Sequence, residues 1–420
     1  MKLCISNARH LEAPVDLLVD GARIVTMTPA GHHAPPEGFA VFDAHGLLLM
    51  PSCIDAHAHL REPGQEYKED IASGLEAAAR GGFGAVMCMA NTKPVNDAAS
   101  VTRFMLDRAR ESHPHGPSLH PIAAASVGLK GEEMAPLAEL KQASCVAVSN
   151  DGRPLESAEM TRRIMEYAAD LDLILIDHCE DPHLARGWRM HEGRLSGLLG
   201  VKGQPPAGEA IQAARDVLLA ECLGLPVHIA HVSAQMTVEV IAWAKARGVR
   251  VTAETCPHYL LLDENALEGY NTQAKVSPPL RTAADRQALR QAVKDGVIDI
   301  LATDHAPHAP HEKATTLDEA PCGFSGLDLA VSLTWGLVRQ GVLSEADLQR
   351  LWSRRPGEIF HLPWNGFNPG DPADFFLFDP DESWVAGPET MFSRSRNTPF
   401  AGQTLQGRVK HHWLGGRQLF

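Results

Sequence analysis

The chain has 420 residues, 44% of them hydrophobic, and a formal net charge of −14. That length supports a large core and one big domain with additions or two to three domains. The acidic balance, with no Lys/Arg run, excludes a nucleic-acid or anionic-membrane surface. The opening MKLCISNARHLEAPVDLLVDG is broken by charge too early for a secretory leader, and no apolar run approaches the ~20 residues of a membrane helix. The eight cysteines are scattered without a C-x-x-C pair. They read as the reduced, buried thiols of a cytoplasmic protein, not as a disulfide framework. Of the 21 histidines, His32, His33, His113 and His115 fall in Pro/Gly-rich loops and read as solvated.

In chain order, residues 1–50 read as short β segments, with a DG turn inside DLLVDGARIVTM and a loop at 29–38. Residues 366–420 read the same way. These two ends are expected to form one small β-sandwich-like domain around a central domain, 51–365. The centre alternates. LLLMPSCIDAH precedes a helical stretch at 69–80, and GAVMCMANT precedes AASVTRFMLDRARES. LHPIAAASVG precedes EEMAPLAELKQA, and CVAVSNDG precedes SAEMTRRIMEYAADL. LDLILIDHCED leads to GEAIQAARDVLLAECLG, where Ile211, Ala214, Leu218 and Cys222 share one helix face. PVHIAHVSA, VTAETCPHY and VIDILATDHAPH follow, each with its helix, and Gly248 and Gly296 sit at C-cap positions.

The strand segments are short and apolar throughout, as strands covered on both faces must be. Roughly eight strand–helix units predict a (β/α)8 TIM-type barrel. A doubly wound open sheet is the alternative, disfavoured because no G-x-G-x-x-G follows the first strand.

Polar residues collect at the ends of these runs. His57 and His59 end the first, Asn91 the second, Asn150-Asp151 the fourth, Asp177-His178 the fifth, His231 the sixth and Asp304 the eighth. In a barrel those carboxyl ends converge on one face, and residues two apart on a strand point the same way. Singly, each residue has a plain reading: a hydrogen-bonded core histidine, or a turn aspartate in NDG. Together, neutral imidazoles and carboxylates suit Zn2+ or a similar divalent ion. An open site of that kind lowers the pKa of its water to ~7. Asp151 is apt to bridge two ions, and Asp304 is placed to move protons. Arg61, just past the first strand, suits a bidentate grip on a substrate carboxylate, and Asn91 could add a hydrogen bond. Beyond Asp304, His305, His308 and His311 cannot all be functional, and His311 reads as exposed.

The motifs IDAHAHLREPG, MANTKPV, SNDG, DHCED, HVSA and ATDHAPH, in this order, resemble a class I dihydroorotase of the amidohydrolase superfamily. The likeness continues into RNTPFAG and GRV. It implies a distorted (β/α)8 barrel with a β domain from both chain ends. It also implies reversible cyclisation of N-carbamoyl-L-aspartate to L-dihydroorotate, a step of de novo pyrimidine (UMP) biosynthesis. On this resemblance His57, His59, Asp151, His178 and His231 are metal ligands for one or two zinc ions, and Asp304 is the general acid/base. Arg61, Asn91, Ser277 and His308 then bind the small-molecule substrate.

Two positions depart from the family pattern: Ser277 in VSPPLR stands where relatives carry Asn, and Asn150 where they often carry Asp. The loop PCGFSG resembles one whose backbone holds the ring. A homodimer and an association with aspartate carbamoyltransferase are the partner states the resemblance allows. Two other readings stay open. A hydantoinase- or allantoinase-like cyclic amidase would carry a carboxylated lysine on strand four, where CVAVSND has none. A non-catalytic partner of the carbamoyltransferase would usually have lost its ligands.

Overall fold

A computed structural model describes residues 2–31 and 36–420; His32 and His33 lie outside them. The predicted units appear in order. The barrel strands are β1 (Cys53–Ala58), β2 (Phe83–Cys88), β3 (Ser118–Pro121, resumed at Ala123–Ala124), β4 (Val148–Ser149), β5 (Leu175–Asp177), β6 (Val227–Ile229), β7 (Val251–Thr255) and β8 (Ile300–Leu301). Each leads to a helix: α1 (Ile71–Gly81), α2 (Ala99–Ser112), α3 (Leu137–Gln142), α4 (Ala158–Asp170), α5 (Ala207–Leu223), α6 (Gln235–Ala246), α7 (Ala283–Lys294) and α8 (Ala330–Arg339).

Neighbouring barrel strands pair in parallel, and the ring closes where Ala58 bridges His305. At that seam His59 N–H donates to the His305 carbonyl (2.7 Å). Beside it the Thr303 amide and hydroxyl both donate to the Asp55 carboxylate (2.9 and 2.5 Å). Ile54, Ala56, Met87, Ala147, Ile176 and Ile300 fill the barrel interior. The carboxyl ends therefore open above a dry, packed floor.

The first apolar run divides. Leu48–Pro51 pairs antiparallel with Phe375–Phe378 in a sheet built from both chain ends, and only Cys53–Ala58 enters the barrel. An unbroken apolar stretch carries no mark of that change of sheet, so it reads as one strand. Ile5, Leu17, Phe375 and Trp413 make the core of the terminal sheet.

Helix α5 forms as the spacing requires, but with the opposite face inward. Ile211 and Leu218 are 53% and 52% exposed, whereas Glu209, Gln212 and Asp216 are buried. The polar face turns in because it has partners there. Glu209 accepts from the amides of Ser233 and Ala234 (3.0 and 3.1 Å), and Gln212 donates to Asp177 (2.8 Å). A buried polar side chain is tolerated when it is bonded in this way.

Candidate active site

The H-x-H pair at the end of β1 puts both rings under the barrel mouth. His57 Nε2 lies 3.5 Å and His59 Nε2 3.6 Å from the Asp151 carboxylate. From the other side, His178 Nδ1 and His231 Nε2 each lie 3.4 Å from Asp151 Oδ1. Asp151 thus belongs to two donor groups, one with His57 and His59, the other with His178 and His231. Asp304 Oδ1 is 3.2 Å from His59 Nε2. All of these side chains are buried.

The donor set is that of a divalent-cation site. His57 Nε2 is fully buried without a hydrogen-bond partner, a cost that a bound ion would remove. His178 Nδ1 and His231 Nε2 approach to 2.9 Å, so two ring nitrogens compete for one proton or one ion. Without a cation the site must hold protons. Burial pulls His57 down, yet Glu254 and Asp151 lift it to about 10. Burial also opposes ionisation of Asp151, but the surrounding imidazoles hold it well below the ordinary carboxylate range.

The candidate ligand rings are oriented from behind. His57 Nδ1 meets Glu254 Oε1 at 2.7 Å, and the other Glu254 oxygen meets His228 Nε2 at 3.2 Å. His59 Nδ1–H donates to Asn91 Oδ1 (2.8 Å). A carboxylate or amide oxygen on the far ring nitrogen fixes the tautomer and presents the near one. Three residues at the mouth, Arg61, His231 and Asp304, have left-handed backbone at φ 62°, 31° and 47°. That is uncommon without glycine, costs of order 1–3 kcal/mol each, and gathers at functional sites.

Above the donors is a cavity of about 290 Å3. His59, Asp151, His178, His231, Asp304, Arg61, Asn91 and Ser277 all line it. His57 stands behind them. So does His308, expected at the substrate. Its Nε2 is 2.8 Å from the Cys322 carbonyl, and its main-chain N–H donates to Asn397 (2.9 Å), so the ring props the wall that Cys322 and Gly323 form. Asn150 is likewise a clamp: it accepts from Ser126 (2.6 Å) and donates to the Arg153 carbonyl (2.7 Å). His311 is exposed, and His305 is buried against Glu69 (3.3 Å). Sequence reasoning missed Glu254, Glu180, Lys275 and Lys313. Glu254 closes the seventh apolar run, so the strand-end rule that found His178 would have found it.

The fold matches solved structures along its whole length. One is L-hydantoinase (dihydropyrimidinase) from Arthrobacter aurescens, with TM-score 0.88 and 21% identity, over 99% of this chain and 95% of that one. Another is a dihydropyrimidinase from Brevibacillus agri, with TM-score 0.81 and 23% identity, over 100% and 95%. The likeness is one of fold, a closed barrel beside a terminal β sheet, and within it this chain sets two His/Asp groups able to hold metal. The profile of the family described as "Dihydro-orotase-like" matches residues 46–237. Dihydroorotases of Desulforapulum autotrophicum and Syntrophus aciditrophicus are 47% and 44% identical to the chain, each over 99% of it and 97% of the relative. The chain belongs to the dihydroorotase family.

Proposed function

We propose that this chain interconverts N-carbamoyl-L-aspartate and L-dihydroorotate, with Asp304 as general acid/base and zinc, one ion or two, held by His57, His59, Asp151, His178 and His231. The observation that carries this reading is the shared carboxylate: Asp151 lies within 3.6 Å of all four imidazoles, with Asp304 at 3.2 Å from one of them. Four imidazoles with two carboxylates are a borderline-soft donor set that suits zinc. When bound, the ion supplies a lowered water pKa and polarises the scissile carbonyl.

The protein groups do the rest. Asp304 is buried, which opposes ionisation, yet its bond to His59 and the nearby imidazoles hold it below the ordinary carboxylate range. In ring opening it is therefore a base. It takes the proton of the attacking water and returns it to the departing ring nitrogen. Ring closure runs the same transfers backwards, from protonated Asp304, and is favoured at lower pH.

Arg61 holds the substrate carboxylate. Its Nε is 3.3 Å from the Pro307 carbonyl, which fixes the guanidinium plane in the cavity wall. Asn91 adds a bond through Nδ2, its Oδ1 being committed to His59. A cavity of about 290 Å3, at the small end of ligand pockets, suits a single six-membered ring.

The test is a kinetic comparison of zinc-loaded protein on dihydroorotate, hydantoin and allantoin. Dihydroorotate is expected to lead by about 100-fold or more, because a site built around a carboxylate rejects substrates that lack one. Preference for hydantoin or allantoin would overturn the reading.

For self-association we infer the α5–α6 face, where Ile211, Leu218, Met236 and Trp243 are exposed on adjoining helices. Apolar patches of this kind mark protein contacts. Leu218→Asp with Trp243→Asp is expected to lower the sedimenting mass to that of one chain; an unchanged mass would discard this face. Among the described residues no helix is long and apolar enough to cross a membrane.

A further inference from the structure

Two lysines are buried side by side under one wall of the cavity. Lys275 is 5% exposed and Lys313 1%. Among the described residues, the hydrogen bonds of both ammonium groups go to main-chain carbonyls. Lys275 Nζ donates to Leu317 and Ala320 (both 2.6 Å). Lys313 Nζ donates to Pro321 (2.7 Å) and reaches the Lys275 carbonyl (3.4 Å). The loop answers in kind: Gly323 N–H donates to the Lys275 carbonyl (2.9 Å), and Thr272 Oγ1 donates to the Lys313 carbonyl (2.6 Å). The stretch pinned in this way, 317–323, ends in Cys322 and Gly323, which line the cavity next to Ser277.

Burying two ammonium groups without a carboxylate partner is expensive. Carbonyl dipoles return part of that cost. Neutral amides of the same length could make comparable bonds, so geometry alone does not require charge. The cavity does give charge a use, because its ligand is an anion. We propose that Lys275 and Lys313 are positioning residues that hold the Cys322–Gly323 wall against the substrate and give that wall a positive charge for the substrate's carboxylate. This rests on the dihydroorotase reading.

Lys313 faces Lys275 from the preceding loop, Cys322 from the pinned stretch, Arg61 from the cavity wall, His308 from behind it, and Glu312 on its own short helix. Burial lowers its ammonium to about 8, with the neighbouring cations adding to the effect. The charge is therefore present at neutral pH and lost above about 8, where the hold on an anion weakens.

The experiment uses zinc-loaded enzyme and dihydroorotate. Lys313→Met and Lys275→Met are expected to raise KM tenfold or more while kcat stays within about threefold, the range for losing a charge-assisted bond. The wild-type KM should climb above about pH 8, whereas that of Lys313→Met stays flat. Amide exchange of residues 316–323 should quicken in both variants with no substrate present. Variants with wild-type KM, or a wild-type KM that is flat through pH 9, would overturn the proposal. If the variants fail to fold, the wild-type pH profile decides. If wild-type enzyme leaves dihydroorotate untouched, the functional reading falls, and the exchange rates still judge the pinned wall.

Discussion

Glu254 Oε1 stands 2.7 Å from His57 Nδ1, with both side chains wholly buried. One oxygen of this carboxylate orients a candidate metal ligand, and the other holds His228 at 3.2 Å. His57 and the hydrogen bond from His228 keep the carboxyl ionised despite its burial. Glu254→Gln preserves the shape and removes the charge that makes His57 a strong donor. Metal affinity is expected to fall by about 10–100-fold, read by competition with a chelating dye. Activity should return when zinc is added in excess. Unchanged affinity would mean that Glu254 serves the core alone.

Asp304 carries a different burden. Asp304→Asn keeps a group of the same size within reach of His59 but cannot take a proton. We expect kcat for ring opening to drop by roughly 10^2–10^4, the usual range for general acid–base catalysis. Zinc content should be retained and KM little changed. A variant that keeps more than a tenth of wild-type kcat would move the proton-transfer role elsewhere.

The barrel and its candidate metal ligands are legible in the sequence for one reason: each polar residue ends an apolar run. His178 after LDLILID and Asp304 after VIDILAT stand out because each follows a largely apolar run, although Asp177, Asp299 and Thr303 in the same runs are polar too and are taken up by Gln212, Lys245 and Asp55. What escaped was long-range. Nothing local in VTAET says that Glu254 meets a histidine 197 positions earlier. Lys275 and Lys313 read as ordinary surface lysines until the 317–323 loop folds over them. The motif assigns His308 to the substrate, and nothing local says that its ring also meets the Cys322 carbonyl fourteen positions on. Helix α5 misleads because its periodic apolar stripe faces outward, while Glu209 and Gln212 find their partners inside.

Ser277 tests how this site differs from its relatives. The side chain lines the cavity one residue before a Pro-Pro pair, where the resemblance of VSPPLR implies an amide in the family. A hydroxyl there can make one neutral bond to the ring. Ser277→Ala should raise KM for dihydroorotate by about 2–12-fold, the net worth of such a bond, with kcat unaffected. Ser277→Asn should bring KM to or below the wild-type value. If neither substitution moves KM, the serine has no contact with substrate.

The stability of the chain should depend on pH through a histidine outside the candidate metal site. His412, 0% exposed, sits where the terminal sheet meets the barrel. Its Nδ1–H donates to the Ala79 carbonyl (2.8 Å), and Nε2 lies 2.8 Å from Ser52 Oγ. Burial depresses its pKa from 6.5 to about 4, with the Ala79 bond opposing only in part. The native ring is therefore neutral at a pH where the unfolded one is charged. Between about 6.5 and 4 unfolding takes up a proton, so stability is full above 6.5 and lost as pH falls toward 4. The loss approaches roughly 3 kcal/mol at the bottom of that window. Asp55 works the other way: burial raises it to about 6, so the native state gains a proton below that pH and recovers part of the loss. A difference between two chains cancels Asp55. Urea unfolding of wild type and His412→Gln at pH 7, 6 and 5 should give a steeper fall in the wild type, by up to about 1.4 kcal/mol per pH unit. Parallel slopes would show that His412 takes up its proton as readily in the folded chain as in the unfolded one.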